Sequence, residues 1–164
     1  MSSIWVVNAS PLISLARIGR LDLLEAPEHV LNVPEAVVKE VLAGPLSDPA
    51  RQALERGFGG PPTSTPIDLR VVEWGLGAGE TAVLSQAVLT GATAVLDDGR
   101  ARTAARVLGV KVIGTLGVVL NARREQRIDS AASVLRALRE SGMRLDNATI
   151  SAALARSVGE EWNS

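Results

Sequence analysis

The feature that most constrains this chain is an alternation along its length. Short apolar runs bounded by turn residues take turns with longer stretches of helical periodicity. That pattern argues for a parallel sheet with helices on both faces. Ile4-Trp5-Val6-Val7 ends at Asn8-Ala9-Ser10-Pro11 and reads as a buried strand. Pro11 fits the first turn of the following helix, with Ser10 as its cap, and Gly19 stops that helix. Leu21 to Leu24 reads as a short helical turn. Val30 to Val33 is the second strand, and Pro34 opens a helix with Val37, Val38, Val41 and Leu42 along one side. Residues 47–56 are helical, and Gly57 to Pro66 is a loop. Ile67 to Val72 reads as a third strand, near an edge because Pro66 opens it. A helix then runs from Gly77-Ala78-Gly79 to about Thr90. Thr93 to Leu96 is a strand, Arg100 to Leu108 a helix and Val110 to Ile113 the last strand. Helices follow over Leu116 to Arg127, Ser130 to Glu140 and Asn147 to Val158. The expected architecture is a three-layer α/β/α fold around a mostly parallel sheet. No repeat or linker divides residues 1–164, so one domain is expected, with the helices of about 130–158 extending its core.

Composition removes several kinds of chemistry. The chain has no cysteine and a single histidine, His29. Disulfides, thiolate metal sites, His-rich zinc sites and His-based triads are excluded. Trp5, Trp74, Trp162 and Phe58 are the only aromatics, too few for a base-stacking platform. The net charge of −1 rules out a polycation, so any contact with nucleic acid must be local. Arg supplies 15 of the 17 basic residues, the better shape for bidentate phosphate contact, although genome composition gives the same bias. No apolar run approaches the ~20 residues of a membrane span. The start lacks a signal-peptide pattern, and a cytoplasmic location is expected.

Sites in parallel α/β sheets form beyond the carboxyl ends of the strands. Asn8 follows the first strand, Glu40 lies on the helix after the second, Glu80 begins the helix after the expected third, and Asp97-Asp98 follow the next. Local sequence thus brings three of these four places to one rim. Glu80 shares a helical stripe with Val83, Leu84 and Ala87, so its carboxylate faces the protein or a cleft. It also complements the helix dipole, which needs no site at all. Either of Asp97 and Asp98 could simply cap the next helix. Glu40 sits toward the edge of its polar face beside Ala36 and Ala43, and by spacing alone Glu35 is an equal candidate. Arg100, Arg102 and Arg106 start beside the acids. They could hold flanking phosphates or form a solvated helix face.

Gly75-Leu76-Gly77-Ala78-Gly79-Glu80 competes as a dinucleotide fingerprint. Its third glycine would fall at position 80, where a carboxylate would repel the pyrophosphate. Cofactor binding is therefore disfavoured.

Four segments resemble the motifs of PIN domains. Val6-Val7-Asn8-Ala9-Ser10-Pro11-Leu12-Ile13 is similar to the opening motif, where a strand ends in Asp followed two residues later by Ser or Thr. Val33-Pro34-Glu35-Ala36-Val37-Val38-Lys39-Glu40-Val41 resembles the second, in which the Glu after Val-Val-Lys is the acidic ligand. Gly77-Ala78-Gly79-Glu80-Thr81-Ala82-Val83 resembles the third, and Val95-Leu96-Asp97-Asp98-Gly99-Arg100-Ala101-Arg102 the fourth. Together they cover roughly residues 4–120, closest to a prokaryotic branch similar to the toxins of VapBC toxin–antitoxin pairs.

The resemblance implies Glu40, Glu80, Asp97 and Asp98 as catalytic carboxylates. With Asn8 they become ligands of magnesium or manganese, and Ser10 supports the first motif. It implies an endoribonuclease with RNA as substrate, a homodimer and a cognate antitoxin. The chain departs from the pattern at Asn8, where Asp is usual. An amide oxygen can ligate a hard cation but brings no charge, and it cannot act as a base. The alternative is a weakened domain that binds RNA or a partner protein without cutting. The Val- and Ala-rich faces of residues 11–24 and 34–43 could supply a partner surface or simply the core.

Overall fold

The computed structural model describes residues 3–163. Ser3–Val7 forms β1, His29–Asn32 β2, Thr93–Val95 β3 and Val112–Ile113 β4. Among the described residues these strands make one all-parallel sheet in the order β2-β1-β3-β4. Ala9–Arg17 is α1, Glu35–Leu42 α2, Pro49–Glu55 α3, Leu69–Val72 α4 and Ala78–Thr90 α5. Gly99–Val107 is α6, Thr115–Arg124 α7, Ala131–Glu140 α8 and Asn147–Ser157 α9. The architecture is the three-layer α/β/α expected.

β1 is the reason for this arrangement. It lies between β2 and β3, and parallel strands covered on both faces must be apolar on both. Trp5, Val6 and Val7 are accordingly buried. From β1 the chain steps to β2 on one side and later lays β3 on the other. The reversal makes the crevice beyond β1 and β3 the topological switch point of the sheet. Asn8 enters it directly, and its backbone N–H donates to the Val95 carbonyl at 2.9 Å.

The expected strand over Ile67 to Val72 is not there. Its last four residues form the short helix α4, capped by Asp68, which accepts from the Arg70 amide at 2.8 Å. Of the apolar side chains only Val71 is buried, while Ile67, Leu69 and Val72 are exposed. Alternate residues therefore do not share a covered face, as a strand at a sheet would require. Thr63 takes the place beyond β2 instead. Its amide bonds Val33 and its carbonyl accepts from Glu35, each at 2.9 Å. Glu80 consequently follows a helix and a loop rather than a strand.

The Ser10 cap is a second correction. α1 starts at Ala9 with Asn8 at its cap in extended conformation and no side-chain cap bond. Pro11 is tolerated because first-turn amides have no intrahelical partner. The apolar faces of residues 11–24 and 34–43 are spent on the core: Leu12, Leu15, Leu23, Leu24, Val37 and Val41 are buried there. α8 and α9 contribute Leu135, Leu138, Ile150 and Leu154 to the same cluster. Among the described residues no helix is long and apolar enough to cross a membrane.

Candidate functional site

The first turn of α5 is where three of the expected residues meet. Gly79 is buried against the end of β1 and the side of α2. A Cβ there would lie 2.9 Å from Asn8 Oδ1, 3.2 Å from Glu40 Oε2 and 3.6 Å from Val37 Cγ2. Glycine at 79 is thus what lets the amide and carboxylate oxygens close on the α5 backbone from two other elements. Helix periodicity explains Glu40: Val37 and Val41 anchor α2 in the core, and position 40 falls at the border of that face. The residue remains largely exposed, but Oε2 turns inward. Glu35, the other candidate by spacing, lies in the first turn of α2. No close approach to Asn8 or Gly79 accompanies it.

The electrostatics of this corner are unbalanced. Asn8 is 3% exposed, and its Oδ1 is buried with no hydrogen-bond donor among the described residues. An unpaired buried acceptor costs about 1–3 kcal/mol. Burial pushes the Glu40 carboxyl above its ordinary range, and the charge of Glu80 pushes it further. Glu80 is half-buried, with Oε2 folded back to within 2.7 Å of where a Cβ on Gly77 would sit. One buried unpaired acceptor and one carboxylate therefore approach Gly79, and a second carboxylate lies near enough to repel the first.

Asp97 and Asp98 behave differently. Asp97 accepts from the Thr115 amide at 2.7 Å and the Thr115 hydroxyl at 2.6 Å, fixing it to the N-terminus of α7. The Ser10 hydroxyl adds a longer bond of 3.5 Å. Asp98 caps α6 through the Ala101 amide at 2.9 Å. Arg102 reaches the same corner as Asp97. A Cβ on Gly114 would lie 2.5 Å from Arg102 Nη1 and 2.9 Å from Asp97 Oδ1. Arg100 extends toward Gly75, in the loop before Glu80. Arg106 is in the last turn of α6 and exposed, away from that corner.

The rim therefore has two parts: Asn8 and Glu40 at Gly79 with Glu80 beside them at Gly77, and Ser10, Asp97, Thr115 and Arg102 around Gly114. Among the described residues no three His, Cys, Asp or Glu side chains converge closely enough to hold a metal ion. The first part nevertheless suits a hard divalent cation. Its donors are all oxygens, two are charged, and the third is an orphaned buried atom. Sequence reasoning missed Gly79, Gly114 and Thr115. Gly79 lay inside a recognised motif, but its importance is a tertiary contact with Asn8 and Glu40. A groove of about 540 Å³ opens beside Glu40, lined among others by Ala36, Thr63, Ile67, Ala78 and Ala82.

A parallel sheet covered by helices on both faces, with acids spread along the rim of its switch point, is a nuclease-like fold. A family model described as a PIN domain matches residues 4–160, and the chain belongs to that family. No curated protein and no solved structure matches it.

Proposed function

We propose that this chain is a divalent-cation-dependent endoribonuclease of the toxin type, hydrolysing phosphodiester bonds in single-stranded or looped RNA. The observation that carries the reading is the orphaned Asn8 Oδ1 and Glu40 Oε2 both lying against Gly79, with Glu80 adding like charge. Two carboxylates beside a buried acceptor call for a cation rather than a hydrogen-bond donor. Asn8, Glu40 and Glu80 would hold magnesium or manganese, with Asp97 and Asp98 on the adjoining strand end. A cation bound there supplies Lewis-acid stabilisation of the phosphodiester and a more acidic water.

The remaining work falls to the protein. Thr115 clamps Asp97 so that its charge stays at the rim instead of swinging into solvent. Arg102 and Arg100 flank the acids and bind phosphates on either side of the scissile bond. Water adds its oxygen to phosphorus and releases a proton to solvent, the bond to the leaving oxygen breaks, and that oxygen takes up a proton from solvent. The test is cleavage of a labelled single-stranded RNA in magnesium or manganese. Glu80→Gln and Glu40→Gln are each expected to lower the rate at least 100-fold, about 2.7 kcal/mol of transition-state stabilisation. Wild-type rates in either variant would remove the site assignment.

Asn8 supports a second reading, a domain that holds RNA without cutting it, because the position carries no charge. Asn8→Asp separates the two. A weakened nuclease gains activity when that charge is added, whereas unchanged cleavage counts against Asn8 as a ligand. The toxin reading also carries a homodimer and a cognate antitoxin. Exposed Ile67, Leu69 and Val72 are apolar side chains free for such contacts, and light scattering at micromolar concentration reads the oligomer.

A further inference from the structure

A second hollow, of about 310 Å³, begins where the acidic rim ends. Ser10, Ser14 and Arg17 line it from α1, at spacings that place them on one helical face. Ser141, Gly142, Met143 and Arg144 line it from the turn between α8 and α9, and Asp97 forms its inner border. Five of the chain's cations are already committed to carboxylates. Arg20, Arg51, Arg70, Arg123 and Arg127 are each tied to a carboxylate within 3.1 Å. Arg17 and Arg144 make no ion pair and no side-chain hydrogen bond among the described residues, and neither does the Ser14 hydroxyl. Ser141 is already committed, donating to the Leu138 carbonyl at 2.8 Å.

Two features keep the hollow suited to an anion. The end of α8 does not present bare carbonyls to it, because the Met143 amide bonds Leu138 and the Gly142 amide bonds Arg139, each at 3.0 Å. Asp97, the one carboxylate lining it, has both oxygens engaged by Thr115. What remains is two guanidiniums and a free hydroxyl that line one space large enough for a phosphodiester group, each able to donate to it.

We propose that this hollow is a phosphate subsite for RNA. Arg17, Arg144 and Ser14 hold a backbone phosphate of the strand after it has crossed the acidic rim. The inference rests on the nuclease reading for the identity of the ligand, but not on cleavage for its test. The strand then runs from Arg100 and Arg102 past Asp97 to Arg17 and Arg144. The α8–α9 turn becomes part of the substrate path.

The experiment is equilibrium binding of a fluorescent single-stranded RNA octamer to the full chain in EDTA, where hydrolysis does not proceed, over a series of KCl concentrations. Arg17→Ala/Arg144→Ala is expected to weaken binding at least tenfold. It should also flatten the slope of log affinity against log salt by about 0.7–1.4. Arg17→Lys/Arg144→Lys should recover most of the slope, and Arg156→Ala on α9 should change neither quantity. Both substituted arginines are exposed, so the fold tolerates their loss, which a melting curve verifies. Octamer binding with wild-type affinity and slope in the double Ala variant overturns the subsite and leaves the nuclease reading standing. A wild-type protein that cleaves and binds no octamer also overturns the subsite alone. One that neither binds nor cleaves RNA overturns both. Parallel titration with inorganic pyrophosphate identifies the source of the anion. Arginine-dependent pyrophosphate binding without octamer binding makes the hollow a free-anion site and overturns the RNA assignment.

Discussion

Two glutamates approach the first turn of a helix in this molecule, and they meet opposite conditions. Glu160, beyond α9, reaches the N-terminus of α8. It accepts from the Ala131 amide at 2.9 Å, the Ala132 amide at 3.0 Å and the Ser130 hydroxyl at 3.1 Å, with Arg123 at 3.1 Å. Burial alone would raise its carboxyl, but those amides, the hydroxyl and Arg123 outweigh it and hold the group below its ordinary range. Glu40 approaches the first turn of α5 and meets Asn8 Oδ1 and Glu80, neither able to donate to it. Burial and like charge push it the other way. The same backbone device serves as a lock where every acceptor has a donor. At Gly79 it leaves acceptors close together without one, a condition that a bound cation would relieve.

That contrast can be broken at four points. Glu160→Ala leaves the α8 amides and Arg123 without their acceptor, and about 3 kcal/mol of stability should be lost. Urea denaturation at neutral pH measures it. The folded carboxyl titrates below its unfolded value of about 4.3. Its contribution is therefore present above that value and disappears as pH falls through the lower folded one. Glu160→Gln should flatten this part of the stability–pH curve between about pH 5 and 3. An unchanged curve would mean that Glu160 is not the lock.

At the rim, Gly79→Ala places a Cβ against Asn8 Oδ1 and Glu40 Oε2. Manganese affinity by calorimetry should fall at least tenfold, about 1.4 kcal/mol. The fold should survive, because alanine is the better helix former by roughly 1 kcal/mol. Retained affinity would show that the two oxygens do not act together. Thr115→Val removes the hydroxyl bond to Asp97 while keeping the buried shape, and about 1 kcal/mol of stability should go with it, read from the urea midpoint. The smallest effect is the most telling in sign. Glu40→Gln removes a like charge from a crowded corner. In the absence of divalent cations it should raise stability by roughly 0.5 kcal/mol, whereas removing a structural carboxylate would lower it.

Much of this arrangement was legible in the chain because it depends on local pattern. The apolar run ending at Asn8 marks a central strand. The stripe of Val83, Leu84 and Ala87 turns the first turn of α5 toward the interior. Segment 67–72 was misread because its apolar composition suits a strand, whereas Asp68 and the Thr63 bridge to Pro34 decide the outcome. Both adjacent aspartates do serve helices, but only Asp98 caps the next one. Asp97 reaches on to Thr115, a pairing that no local pattern foreshadows. Asn8, Glu40 and Gly79 likewise meet only because β1, α2 and α5 pack around one point.

The most direct test is the melting temperature of the metal-free protein titrated with manganese, alongside Glu40→Gln. A cation held by Asn8, Glu40 and Glu80 stabilises the native state by about 2.7 kcal/mol at a hundredfold excess over its dissociation constant. The wild type should then melt roughly 5–10 °C higher, and the variant should show little or none of that rise. Equal rises in both proteins, or none in the wild type, would contradict the proposed metal centre at the switch point.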